Sequence, residues 1–81
     1  MFHVDKMLRV VNDWRPLYEG ERKKTVLHVQ NTLEKLSNQT VELPTLYDQL
    51  LNSPADDQTK RDAVKMVRVL YHTLDVNDEE Q

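Results

Sequence analysis

Apolar residues recur near the start of the chain at Val4, Met7, Leu8, Val11 and Trp14. This is the i, i+3, i+4, i+7 spacing that lays side chains along one face of an α-helix. The spacing predicts a first helix over residues 4–15, with Asp5, Lys6, Arg9 and Asp13 outside the buried stripe. Pro16 ends or kinks it, because the proline ring disfavours helical geometry at Arg15 and supplies no N–H. The segment 16–20 reads as a connection, with Leu17 and Tyr18 tucked against the core. A second helix is predicted over 21–37. Its Val26, Val29, Leu33 and Leu36 alternate by three and four, a narrow seam of the kind found in bundles and coiled coils. Glu19 with Lys23, and Asn31 with Lys35, stand one turn apart on its surface.

The polar run Asn38-Gln39-Thr40 closes that helix, and Val41-Glu42-Leu43-Pro44 leads into a short third one over 45–52. There Leu46, Tyr47, Leu50 and Leu51 share a side, and Pro44 suits a first turn, where its missing donor costs nothing. A fourth helix is predicted to start at a Ser53 cap with Pro54 in the first helical position. Asp56 and Asp57 sit near the positive end of its dipole. It should run to about Leu74, with Ala63, Met66, Val67, Leu70 and Leu74 on one face, widened by Val64 and Tyr71, while Val69 points elsewhere. Short links between amphipathic helices imply antiparallel neighbours. The expected fold is all-α: an antiparallel helical bundle of three long helices and one short helix. Residues 1–74 are expected to form one domain, followed by a disordered acidic tail over 75–81.

Composition agrees with that reading. The 81 residues include one glycine, Gly20, and three prolines, too few for the frequent turns of a sheet protein. Charged residues make up 31% and hydrophobic ones 38%, too apolar a mixture for full disorder. The absence of cysteine excludes a disulfide framework and thiol chemistry. Met1-Phe2-His3-Val4-Asp5-Lys6 shows no basic region followed by an apolar run, and no stretch is apolar enough to span a bilayer. No membrane span and a cytoplasmic location are therefore the expectation. The net charge of −3 is concentrated at one end, since Asp75, Asp78, Glu79 and Glu80 are unaccompanied by a base. Removing those four from the fourteen acids leaves ten against eleven bases, or +1. The body of the chain thus has no strong field to attract nucleic acid or anionic lipid.

The residues that could carry function are few. Arg61, Lys65, Arg68 and His72 are spaced four, three and four apart, which lines them along one side of the fourth helix, opposite its apolar face. They read either as a contact stripe for an acidic partner or phosphate surface, or as ordinary solvated helix. Arg22-Lys23-Lys24 is a second basic cluster, diluted by Glu19 and Glu21, and reads as solubilising surface. A helix-turn-helix formed by the third and fourth helices is disfavoured. The end of a recognition helix that would meet base edges carries Asp56, Asp57 and Asp62, which phosphates repel. His3, His28 and His72 share no metal-ligand spacing, and His28 reads as a surface residue. No serine or threonine has a base beside it, and no glycine loop could hold phosphate. No catalytic residue, cofactor site or metal site is therefore assigned. Trp14 and Tyr18 would be a candidate partner anchor if they formed an exposed patch.

From Lys24 onward the order of parts resembles the enterocin A-type bacteriocin immunity proteins of Gram-positive bacteria. The likeness lies in the helix Val26-Leu27-His28-Val29-Gln30-Asn31-Thr32-Leu33-Glu34-Lys35-Leu36 and the proline-containing link Val41-Glu42-Leu43-Pro44-Thr45-Leu46. It continues through the helix of Leu50-Leu51 and a long last helix entered by a capped polar turn. It is a likeness of pattern covering roughly residues 24–74, and helix 1 with Trp14-Arg15-Pro16 has no counterpart. The resemblance implies a helical protein that acts from the cytoplasm. Such a protein binds the membrane receptor complex engaged by a pore-forming peptide, and so protects the cell. It also implies that specificity resides in the C-terminal part, here the fourth helix, with Arg61, Lys65 and Arg68 as contact residues.

The sequence is therefore read as a non-enzymatic helical interaction protein of the immunity type. Its partner would be a protein such as a membrane transporter complex, bound through Arg61, Lys65, Arg68 and His72. The alternative is a small regulatory adaptor of phage or mobile-element origin that binds a host protein or forms a homodimer through the seam of the second helix.

Overall fold

A computed structural model of the protein describes residues 2–73. The elements run β1 (Phe2–His3), α1 (Val4–Trp14), a single 3-10 turn (Arg15–Leu17), α2 (Glu21–Lys35), β2 (Thr40–Val41), α3 (Leu43–Asn52) and α4 (Asp57–Thr73). The fold is an all-α bundle with one small two-stranded sheet attached. The four helices have 11, 15, 10 and 17 residues.

Local chemistry sets where each helix begins and ends. His3 has extended backbone and caps α1 with its ring, Nδ1 accepting from the Asp5 N–H at 3.3 Å. Asp5 occupies the first turn, where the helix dipole favours an acid, and its Oδ1 also accepts from the Asn38 N–H at 3.1 Å and the Ser37 hydroxyl at 3.4 Å. One carboxylate thus ties the start of α1 to the turn after α2. Pro16 sits within the 3-10 turn, and Tyr18 then becomes extended. That geometry returns Tyr18 towards Trp14 but leaves Leu17 76% exposed, against the expectation that both would tuck into the core.

Gly20 precedes α2 at φ 68°, ψ −137°, a region open essentially to glycine alone. Helix α2 ends two residues before its predicted limit. The Leu36 N–H bonds the Leu33 carbonyl at 3.0 Å and the Ser37 N–H bonds the Glu34 carbonyl at 3.2 Å, tightening the last turn. Asn38 then reverses the chain at φ 68°, in the left-handed region that asparagine tolerates better than most residues.

The fourth helix starts later than Ser53 and Pro54 suggested. Asp56 caps it, Oδ1 accepting from the Thr59 N–H at 2.7 Å, and this contact is the main reason the Asp56 carboxyl titrates below its ordinary value. Ser53 closes α3 instead, its hydroxyl donating to the Gln49 carbonyl at 2.8 Å. At the other end of α3, Pro44 fits the first turn as expected, but the helix already begins at Leu43. Leu74 and the acidic segment 75–81 lie outside the described residues.

The core is built from one face of every helix. Val4, Met7 and Val11 of α1, Val26, Val29 and Leu33 of α2, Leu46 and Leu50 of α3, and Ala63, Val67 and Leu70 of α4 are all fully buried. Leu51, expected beside Leu50, stays 45% exposed at the edge of its face. Helix α2 is the central element, packed against α1, α3 and α4. Its buried arc also takes in Thr25, His28, Gln30 and Thr32, so the narrow seam read from the sequence is in fact a broad surface. Because Val26, Val29 and Leu33 are consumed inside one chain, the seam is not available for a homodimer through α2.

The polar residues of that arc are hydrogen-bonded. The Thr32 hydroxyl donates to the His28 carbonyl at 2.9 Å, and Gln30 accepts from Arg15 Nη1 at 3.2 Å while donating to Asn12 Oδ1. His28, read as a surface residue, is 8% exposed and lies 2.9 Å from the Leu50 carbonyl. Among the described residues no buried side-chain nitrogen or oxygen lacks a partner, as a well-formed interior requires.

The two strands pair antiparallel, Phe2 with Val41 and His3 with Thr40. Phe2 is fully buried, and its ring meets Tyr71 edge-on at 5.6 Å. These contacts fix the helix directions. The start of α1 meets the end of α2 through Asp5, whereas Lys24 near the start of α2 faces Asp56 at the start of α4. Helices α2 and α4 therefore run the same way, with α1 and α3 opposed to them.

Candidate functional site

The described helices leave one long flank of α4 open. Arg61, Lys65, Arg68 and His72 are all exposed along it, as the four-three-four spacing requires once Ala63, Val67 and Leu70 are turned into the core. Neither Arg61, Lys65 nor Arg68 makes a hydrogen bond or ion pair with another described residue. His72 stands edge-on to Tyr71, ring centroids 5.5 Å apart. Arg61, Lys65 and Arg68 thus form a row of solvent-exposed charge.

Beside the stripe, three segments meet around a groove of about 540 Å³. Its apolar wall is Trp14 from the end of α1, Tyr18 from the link, and Met66 and Val69 from α4. The Trp14 and Tyr18 rings meet edge-on at 6.3 Å and 63°, a favoured aromatic geometry, and both are half-buried. Val69 is 55% exposed at the groove. Arg22 and Lys65 supply its cations and Asp62 its acid. The Asp62 carboxylate accepts a hydrogen bond from Gln58 Nε2 at 2.9 Å. Lys65 belongs to both features, so stripe and groove form one continuous surface.

Tyr18 also lines a second depression, of about 390 Å³, together with Arg15, Glu19 and Lys23. The cluster Arg22-Lys23-Lys24 is thus split three ways. Arg22 faces the groove, Lys23 the second depression, and Lys24 the ionised cap of α4 at Asp56. The three histidines are equally dispersed: His3 caps α1, His28 is buried under α3 and His72 is on the stripe. Among the described residues no group of three or more histidines and acids is placed to hold a metal ion. No described helix is long and apolar enough to cross a membrane.

The stripe was legible from spacing alone. The groove was not, because it needs Trp14, Tyr18 and Val69 to converge from parts of the chain with no common period. The only advance signal was the nearness of two aromatic rings on either side of Pro16.

Fold and surface together define a small all-α bundle with one open, basic and partly aromatic face. Comparison with protein-family models, with curated proteins and with solved structures gives no match.

Proposed function

We propose that this is a non-enzymatic interaction protein whose contact surface is the exposed flank of α4, and that it acts as an immunity protein on a membrane receptor complex. The observation that carries the reading is the alignment of Arg61, Lys65 and Arg68 on one open helix face, none bonded to another described residue. A cationic row of this kind offers steering and register to an acidic partner surface. Base reading by the N-terminus of α4 is a poorer match, since that end holds Asp57 and the Asp56 cap, which oppose entry among phosphates. The resemblance of residues 24–74 to the immunity proteins supplies the biological setting, cytoplasmic action against a pore-forming peptide. In this setting the partner is a membrane transporter complex.

The test is capture from detergent-solubilised Gram-positive membranes, comparing the wild type with an Arg61→Glu, Lys65→Glu, Arg68→Glu variant, alongside protection of a sensitive strain. Recovery of a sugar-transporter complex by the wild type alone, with protection lost in the variant, is the expected result. Equal capture by both proteins would reduce the stripe to solvated surface. Recovery of one soluble protein and no transporter would move the function to the regulatory adaptor.

A further inference from the structure

We infer that the groove between Trp14, Tyr18, Met66 and Val69 is a slot for an apolar side chain carried on an acidic amphipathic segment of the partner. The inference rests on the flank of α4 being the contact surface, and adds to it the chemistry of what binds there. The few residues that dominate binding energy at protein interfaces are enriched in tryptophan, tyrosine and arginine, in pockets that become desolvated on binding. Here Trp14, Tyr18 and Arg22 converge on one depression of about 540 Å³, within the size range of binding clefts. Met66 and Val69 supply apolar surface on the side towards α4, and Val69 is left 55% exposed.

Charge selects the sign of the occupant. The groove sets Arg22 and Lys65 against Asp62, whose carboxylate already accepts from Gln58. The depression across Tyr18 sets Arg15 and Lys23 against Glu19. Each therefore carries two cations to one acid, and beyond Lys65 the stripe adds Arg68 and Arg61. Thr25 and Asp62 also border a third depression, of about 150 Å³, that sets Glu21, Asp56 and Asp62 against Lys24. A segment that seats a leucine-like side chain between Trp14 and Met66 is therefore favoured to carry its carboxylates on the side that runs along Tyr18 and the stripe, away from Asp62. A basic segment would be repelled along Tyr18 and the stripe, and a purely polar anion would leave the apolar wall unused.

Trp14 is the chain's one tryptophan, so its fluorescence reports occupancy of the slot. The probes are three blocked peptides of equal length, built from glutamate and leucine, glutamate and serine, or lysine and leucine. The glutamate–leucine peptide alone should shift the emission saturably. Val69→Asp, at an exposed position that leaves the core intact, should weaken it by about tenfold or more. An Arg61→Glu, Arg68→Glu variant, altered outside the slot, should weaken it less than Val69→Asp does. Circular dichroism confirms that each variant is folded. An equal response to the glutamate–serine peptide would overturn the slot and leave the stripe standing. An equal response to the lysine–leucine peptide, no response to any peptide, or wild-type binding by Val69→Asp would overturn it as well. Repeating the capture experiment with the Arg61→Glu, Arg68→Glu variant, which leaves Lys65 of the slot in place, makes failure of one reading distinguishable from failure of the other.

Discussion

The imidazole Nε2 of His28, in the middle of α2, lies 2.9 Å from the backbone carbonyl oxygen of Leu50, in the last turn of α3. Carbonyls in a last turn have no partner within their own helix, and the ring N–H donates to this one. A polar side chain on the central helix thus completes the end of its neighbour, and it makes the α2–α3 junction specific in register as well as buried.

His28→Ala should therefore lose both the donor and the volume beneath α3. The expected destabilisation is about 2–4 kcal/mol, from an unsatisfied buried carbonyl together with a cavity. Urea unfolding at neutral pH measures it. His28→Leu restores most of the volume but not the donor, and should recover only part of the loss. If the alanine variant unfolded at the wild-type midpoint, the junction would not depend on this contact.

Gly20 gives a purely conformational prediction. A Cβ built there has no heavy atom within 4 Å, so Gly20→Ala meets no steric neighbour and its cost is the backbone's alone, about 1–3 kcal/mol. Asparagine rescues left-handed sites where ψ is positive, but at ψ −137° it should do no better than alanine. Thermal melts of the two variants make the comparison, and a wild-type melting temperature for either would rule out the strained turn.

The Asp56 cap carries a pH signature. Its carboxyl is held below the ordinary value of 3.8, first by the Thr59 backbone N–H and then by the Thr59 side chain, with Lys24 assisting. A depressed folded-state value means that the cap stabilises the fold above the unfolded value, and that this contribution is lost as pH falls through the folded one. Asp56→Ala should accordingly be less stable than wild type at neutral pH, with the difference closing below about pH 3.8. Asp56→Asn keeps a good capping group and should remove the pH dependence while sparing most of the stability. Denaturation of all three proteins across that range is the measurement.

Asp5 should act as a local latch. Its carboxylate accepts from the Asn38 N–H and the Ser37 hydroxyl, and Asp5→Ala releases both. The expected loss is about 0.5–2 kcal/mol. Its specific mark is faster hydrogen exchange at the Asn38 amide, with the amides of α4 little affected. Uniform acceleration across the whole chain would show that Asp5 contributes to global stability instead.

Periodicity carried the helices well and their junctions poorly. α1 and the start of α2 fall within one residue of expectation because Val4, Met7 and Val11 repeat cleanly and Gly20 punctuates. The start of α4 was misplaced because Ser53-Pro54 and Asp56-Asp57 both satisfy the rules for a helix start, and only the bond from Thr59 to Asp56 decides between them. His28 was read as surface on polarity, yet the central position of α2 buries it together with Gln30 and supplies their partners from α1, α3 and the 3-10 turn. The strands were invisible, since two residues have no period and their pairing spans half the chain. Of the candidate site, the α4 stripe was written in one helix and could be read, whereas the groove is a property of tertiary assembly.

Phe2 is held between Val41 on its own sheet and Tyr71 near the end of α4, and this orders events in time. A ribosome makes Phe2 well before the residues that pack against it, since Val41 and then Tyr71 follow it in the chain. α1 can coil as it appears, yet its leading aromatic has no permanent place to settle until α4 is out. Joining of Phe2 to α4 should therefore follow synthesis of all four described helices. Substitutions at Phe2 should mainly hasten unfolding while leaving the early helical stages intact.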